Sequence, residues 1–111
     1  MTIEIKETGV RLSPLFREFL RSRLLLLSRF VKHYESSGEI HLFIEIAKTT
    51  KHHRKGNIFY AEATVQLSKK LVRAEASDMD FRTAIDALKD ILKREFVQYK
   101  ETHGWKPQGE K

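Results

Sequence analysis

The sequence predicts an α+β fold in the order β-α-β-β-β-α, with a four-stranded mixed sheet and two helices packed on one of its faces. Two observations lead to this prediction. Four short segments alternate apolar and polar residues, as half-buried strands do, and two longer segments repeat apolar residues at the spacing of amphipathic helices. Because each strand has one apolar face, both helices should cover that face and leave the other in water.

The composition is that of one basic globular domain. With 111 residues and 41% hydrophobic content, the chain has room for one ordinary core, which we assign to residues 1–101, followed by a short polar tail over residues 102–111. The net charge of +6 favours a polyanionic partner such as nucleic acid or an anionic membrane surface. Charge alone does not choose between these two partners. Cysteine is absent, which excludes disulfides and thiolate metal sites. Without a signal peptide or an apolar run near the roughly 20 residues of a bilayer span, a soluble, cytoplasmic protein is expected, and no membrane partner is predicted.

A short strand and a long helix open the predicted fold. Residues 2–6 alternate apolar and polar side chains, as a strand with one buried face does. Ser13 and Pro14 then supply an N-cap and a proline at the first helical position, so a helix should begin here and run to about residue 33. Its apolar side carries Phe16, Phe19, Leu20, Leu24, Leu27, Phe30 and Val31.

The first helix also has a basic side. Four cations spread over an arc of about 120° on its outer flank, and these are Arg17, Arg21, Arg29 and Lys32. Arg23 differs, because it projects near the middle of the apolar arc. Long cationic side chains can extend along apolar surface and keep the charge in water, so we expect Arg23 at the helix margin.

Three further strands are predicted in the middle of the chain. Residues 39–48 alternate most clearly, and the apolar set is Ile40, Leu42, Ile44 and Ile46. Residues 58–67 alternate again, and residues 71–76 complete a hairpin through Ser68 and Lys69, a turn without the glycine or asparagine that tight hairpins prefer. A right-handed crossover should make the first two strands parallel, and the short connections should make the later pairs antiparallel.

The last predicted element is an amphipathic helix over residues 77–100. Ser77 and Asp80 resemble a capping box at its start. Its apolar stripe consists of Phe81, Ala84, Ile85, Leu88, Leu92, Phe96 and Tyr99. At about 100° per residue, four cations fall within an arc of about 40° beside that stripe. We name this set the basic ridge, and it consists of Arg82, Lys89, Lys93 and Lys100.

The basic ridge has two interpretations. It fits a solvated helix face, because Asp86 and Lys89, and Asp90 and Arg94, have the spacing of stabilising ion pairs. It also fits a polyanion-binding surface, provided that helix packing merges the ridge with the basic side of the first helix. The net charge favours the second interpretation.

The segment over residues 48–57, KTTKHHRKGN, has no apolar residue and should be an exposed basic loop. Its two adjacent histidines suggest a metal site, but neighbouring side chains point apart in an extended chain and no third ligand follows at suitable spacing. A loop that faces phosphates is therefore favoured. Its candidate contacts are Lys51, His52, His53, Arg54 and Lys55.

Catalytic motifs are missing from the sequence. It contains no glycine-rich phosphate loop and no nucleophile motif. Asp86 and Asp90 lie among lysines on the outside of a helix, where a fully solvated carboxylate is poorly placed to act as a general acid or base. We therefore expect a binding protein rather than an enzyme, with no cofactor, no metal and no small-molecule substrate.

Three stretches of the sequence resemble one known family. They are IEIKETGVRLSPLFREFLRSRL, HHRKGNIFYAEATVQL and, most specifically, DFRTAIDALKDILKREFVQYK. In the last stretch, a D-x-x-x-A-I-D pattern falls on Asp80, Ala84, Ile85 and Asp86. Over residues 2–100 the chain resembles the bacterial ribosome hibernation-promoting factors, also known as the ribosome-associated inhibitor or sigma-54 modulation family.

This resemblance implies binding to the small ribosomal subunit, in the channel used by messenger and transfer RNA, and inhibition of translation in idle or stressed cells. In the family the basic faces of both helices lie on ribosomal RNA. Carried over by position, this implies RNA contacts from Arg17, Arg23, Arg29 and Arg94. The helix positions add Arg21, Lys32, Arg82, Lys89, Lys93 and Lys100. Arg82 stands where the family usually has tyrosine.

Long members of that family carry an additional C-terminal domain that dimerises and pairs ribosomes. This chain resembles a short form, so a monomer is expected when the protein is free. Two alternatives remain open: a general module for double-stranded RNA, which is bound largely through shape and phosphates, and an adaptor that binds an acidic protein through the basic ridge. An adaptor would keep its partner after digestion of RNA.

Overall fold

The predicted α+β class is confirmed in a computed structural model, which describes residues 1–32, 39–49, 58–67 and 70–103. The elements are β1 (Thr2–Thr8), α1 (Pro14–Leu25), α2 (Ser28–Val31), β2 (His41–Thr49), β3 (Ile58–Gln66), β4 (Leu71–Asp78) and α3 (Phe81–His103). The strands form one sheet in the order β1-β2-β3-β4, with β1 parallel to β2 and the other two pairs antiparallel. Each strand boundary lies within two residues of its prediction.

The strand register places the apolar side chains on one face of the sheet. One cross-strand row, for example, runs through Ile5, Ile44, Ala63 and Ala74. Side chains in such a row share a face, and this face joins the buried residues of all three helices in a single core. α3 lies over β3 and β4, and α1 packs beside it. Both major helices therefore cover the same face, as predicted.

The predicted long first helix is divided in two. α1 ends at Leu25, a turn follows, and α2 continues as a short helix. In the turn, the backbone N–H of Leu27 donates to the Leu24 carbonyl at 3.0 Å, and that of Phe30 donates to the Leu27 carbonyl at 2.9 Å. This three-residue spacing is tighter than that of an α-helix. No proline or glycine marks the break, which falls within four consecutive leucines, so the residue pattern predicted a continuous helix.

The start of α3 also differs from its prediction. β4 runs two residues further than expected, so Ser77 lies in the strand and α3 begins at Phe81. Asp80 is itself the cap, because its carboxylate accepts hydrogen bonds from the Thr83 backbone N–H at 2.9 Å and from the Thr83 hydroxyl at 2.7 Å. The predicted capping box is therefore wrong. Its residue types fit that motif, but the strand extends through the position of the expected cap.

Asp80→Ala should lower the melting temperature, because it removes the acceptor of the Thr83 N–H at the start of α3. The hydrogen bonds from the hydroxyl and the backbone of Thr83 hold the pKa of Asp80 below its ordinary value. The resulting stabilisation is present above the ordinary carboxyl pKa and is lost as the pH falls through the lowered value.

Thermal melts between about pH 3 and pH 7 test this prediction. Asp80→Asn is the matched variant, because its side-chain oxygen still caps the helix but does not titrate over this range. As the pH is lowered, the melting temperature of Asp80→Asn should therefore fall less than that of the unsubstituted protein. If Asp80→Ala melts at the same temperature as the unsubstituted protein at neutral pH, the cap has no role in stability.

Several sequence predictions fall outside the described residues. These are the turn at Ser68 and Lys69, the loop positions 50–57 and the tail beyond residue 103. The boundary placed between domain and tail therefore stays a prediction. Among the helices that the structure describes, none is long and apolar enough to cross a membrane.

Candidate nucleic-acid interface

The face of the sheet opposite the helices is open and acidic. Glu45, Glu62 and Glu75 lie side by side in one cross-strand row, with Lys6 at its end. Within the described part of the chain, none of the three glutamates forms an ion pair. Burial, followed by the negative charges of Glu62 and Glu75, raises the pKa of the neighbouring Tyr60 above its ordinary value. This face disfavours contact with a polyanion.

On the other side of the molecule, cations from two helices meet at the half-buried ring of Phe19 on α1. The guanidinium carbon of Arg23, also on α1, lies 4.8 Å from the ring centroid, and that of Arg82 on α3 lies 5.4 Å from it. The Arg23 Nε also pairs with the carboxylate of Asp86 on α3 at 3.2 Å. Arg23 therefore lies at the helix margin, as predicted. We name Phe19, Arg23 and Arg82 the Phe19 cluster.

A second half-buried ring, Phe30 of α2, repeats this arrangement. The guanidinium carbon of Arg29 lies 5.0 Å from the ring centroid, and the Lys93 Nζ from α3 lies 5.6 Å from it. We name Phe30, Arg29 and Lys93 the Phe30 cluster. Along α3, Arg82 and Lys93 are separated by about 16 Å at 1.5 Å per residue. Among the described residues, the basic ridge thus meets the basic side of the first predicted helix at Arg29 only, and at Phe19 it meets Arg23, which the sequence had placed in the apolar arc.

Other aromatic side chains pack against the Phe19 cluster on its core side. Phe81, the first residue of α3, is only 2% exposed. Its ring stacks on Phe16 with 4.7 Å between centroids, and it contacts Phe59 edge-on at 5.5 Å. The Phe19 ring lies 6.3 Å from the same Phe81 ring. These contacts join α1, β3 and α3, so the position of Phe19 depends on the tertiary packing of the core.

Lys89 of the basic ridge is half-buried, and its Nζ lies 3.7 Å from the Asp90 carboxylate. The predicted helical pairs are therefore not the ones observed. Asp86 of α3 pairs with Arg23 of α1, and Asp90 pairs with Lys89 rather than with Arg94. Helical spacing identified possible partners within α3, but a cation on α1 competes for Asp86 once the two helices pack together.

The remaining described candidates do not contact the two rings. Arg17 of α1 forms an ion pair with Glu7 of β1, and the Arg21 Nη1 donates to the Ile3 carbonyl at 3.3 Å. These two arginines therefore face β1 rather than α3. The other described candidates are exposed, and they are Lys32, Arg94 and Lys100. The five predicted loop contacts, residues 51–55, lie outside the described residues.

The helical spacing of apolar residues predicted Phe19 and Phe30 as core residues and did not predict their contacts with cations. One signal was present in the sequence, because Phe19 and Arg23 are four residues apart and such pairs meet on a helix surface. No comparable spacing in the sequence predicts that Arg82 contacts the Phe19 ring or that Lys93 contacts the Phe30 ring. They depend on how α3 packs against the first two helices.

Comparisons with known proteins agree with this fold. The family described as "Sigma 54 modulation protein / S30EA ribosomal protein" matches residues 3–103. A ribosomal subunit interface protein from Coxiella burnetii has a TM-score of 0.75 and 22% identity, over 92% of this chain and 100% of that chain. The N-terminal domain of Thermus thermophilus Protein Y has a TM-score of 0.71 and 24% identity, over 89% and 99%. No curated protein sequence matches significantly. At these identities, the two structures establish a shared fold.

Proposed function

The chain belongs to the sigma-54 modulation protein / S30EA ribosomal protein family, and from this premise we propose that it is a ribosome hibernation factor. It binds the RNA of the small ribosomal subunit in the channel used by messenger and transfer RNA. Binding there inhibits translation in idle or stressed cells. The protein acts in the cytoplasm as a monomer when free, by occupying a site rather than by catalysis, and without a cofactor or small-molecule substrate.

The observation that carries this proposal is the convergence of cations from all three described helices on one side of the domain. The four cations of the two clusters are Arg23, Arg29, Arg82 and Lys93. Clustered cations gain affinity for RNA by neutralising phosphates and releasing condensed counterions. The open sheet face, with three adjacent glutamates, repels the same phosphates. The charge distribution therefore favours one orientation, with the helices toward RNA.

The proposal predicts that the protein cosediments with purified small ribosomal subunits and not with large subunits. Cosedimentation should weaken as salt rises, because the contacts are made to phosphates. No nucleotide should be needed for binding. Messenger and transfer RNA, bound to the subunit beforehand, should reduce the amount of protein that cosediments, and the protein should in turn inhibit synthesis in a purified translation system.

The controls separate this function from its two alternatives. A free RNA duplex of about 16 base pairs, the span of a double-stranded RNA-binding domain, should bind more weakly than the subunit. Equal affinities would indicate a general duplex-binding module. Retention of a protein partner after digestion of all RNA would indicate an adaptor. Binding to the large subunit alone would contradict the proposal.

A further inference from the structure

The Phe19 and Phe30 rings each contact cations from two different helices. All four charged groups lie within the distance of about 6 Å at which a cation is attracted to the face of an aromatic ring. We propose that Phe19 and Phe30 are positioning residues, which hold these cations in place for RNA phosphates. This inference rests on the proposed function. The rings raise the affinity for RNA by holding the cations, without touching RNA themselves.

Pre-organisation is the physical basis of this role. A free arginine or lysine side chain samples many rotamers and loses this freedom when it binds a phosphate. A guanidinium that lies over a ring is already restricted, while the N–H groups at its edges can still donate to phosphate oxygens. Each ring restricts two cations at once, so the loss of one ring should affect both.

The charge balance of the clusters indicates that they are completed by an anion. Two like charges within about 6 Å of the same ring repel each other, and an anion bound near both of them relieves this repulsion. In the Phe19 cluster, Asp86 offsets part of the charge through its ion pair with Arg23. In the Phe30 cluster, neither Arg29 nor Lys93 forms an ion pair with any described carboxylate. The Phe30 cluster should therefore contribute more to phosphate binding.

The burial of the two rings distinguishes them from ordinary core residues. Leu20 and Leu24 on α1 are completely buried, whereas Phe19 and Phe30 are half-buried and pack against the core from its edge. Leucine at either position would retain much of the apolar packing but would offer no aromatic face to a cation. Phenylalanine-to-leucine substitutions therefore remove the proposed role more selectively than alanine substitutions.

The test compares Phe19→Leu and Phe30→Leu in binding to small ribosomal subunits over a range of salt concentrations. Each variant should bind about three- to ten-fold more weakly, which corresponds to restoring the freedom of one or two side chains. The slope of log affinity against log salt should not change, because all the cations are still present. Phe43→Leu is the matched control, since Phe43 is 51% exposed on the open sheet face, and it should bind like the unsubstituted protein.

A double-mutant cycle separates positioning from direct stacking of the ring on a nucleobase. Phe19→Leu should have no further effect in a protein that already carries Arg23→Gln and Arg82→Gln, because no cation is left to position. A further loss in that background would show that the ring contacts RNA itself and would overturn the inference. The same cycle with Phe30, Arg29 and Lys93 tests the second cluster independently if Phe19→Leu fails to fold.

The outcomes also separate this inference from the proposed function. If the unsubstituted protein does not bind the small subunit, both are wrong. If it binds and both leucine variants bind equally well, only the positioning role is wrong. Melting temperatures of all variants, measured in the binding buffer, identify any loss of affinity that results from unfolding.

Discussion

Leu88→Ala should lower the free energy of unfolding by about 2 to 5 kcal/mol, the range for large-to-small substitutions in a well-packed core. Leu88 is completely buried on α3, which lies over β3 and β4. The inward residues of those strands include Ala63 and Ala74, whose methyl side chains cannot extend into the space that the lost isopropyl group leaves. The surroundings should therefore collapse only partly, and urea denaturation would measure the loss as a lower midpoint.

Leu15→Ala is the matched control for this substitution. Leu15 also lies on a helix, but its side chain is 66% exposed, so the same chemical change should alter stability by no more than about 0.5 kcal/mol. A comparably small effect of Leu88→Ala would place that residue at the surface and contradict the register of α3. Leu88 is a core residue outside both clusters, so RNA binding by the folded variant should be retained.

The strands and their burial were predictable because alternation is a local property of the chain. Leu42, Ile44 and Ile46 of β2 are at most 2% exposed, as their spacing predicted. The sheet order followed from connection length and handedness, which restrict the possible topologies to very few. The break after α1 was not predictable in this way. Four successive leucines are compatible with a continuous helix and with a tight turn, and the choice depends on contacts distant in sequence.

The candidate interface was predictable only where it depends on the local geometry of one helix. Helical geometry placed Arg82 and Lys93 on one ridge, because the angle between residues on a helix is constant. It did not reveal that Arg17 faces β1 or that Phe19 lies beneath two arginines from different helices. Both facts depend on the rotation of α1 relative to its neighbours. The basic side chains were thus predictable from the sequence, whereas their grouping depends on the packing of the helices.

Replacing Arg82 and Lys93 together with glutamine should flatten the dependence of log affinity on log salt by about 2, or one unit for each lost phosphate contact. These residues are the α3 members of the two clusters, and both side chains are exposed. Substitutions at such positions usually change stability by less than about 0.5 kcal/mol, so weaker binding would not result from unfolding. Binding to small ribosomal subunits at four or more salt concentrations measures the slope.

The control is the double variant Lys6→Gln with Arg73→Gln. It also removes two positive charges, but from the open sheet face. Lys6 lies in the acidic cross-strand row, and Arg73 lies in β4 opposite Thr64 of β3. If affinity depends only on net charge, both double variants should flatten the slope equally. If RNA lies on the helices, the sheet variant should keep nearly the full slope, because its cations neutralise no phosphate and release no counterions. An unchanged affinity and slope for Arg82→Gln with Lys93→Gln would instead show that these ridge cations are only solvated, and that the phosphates are contacted elsewhere on the domain.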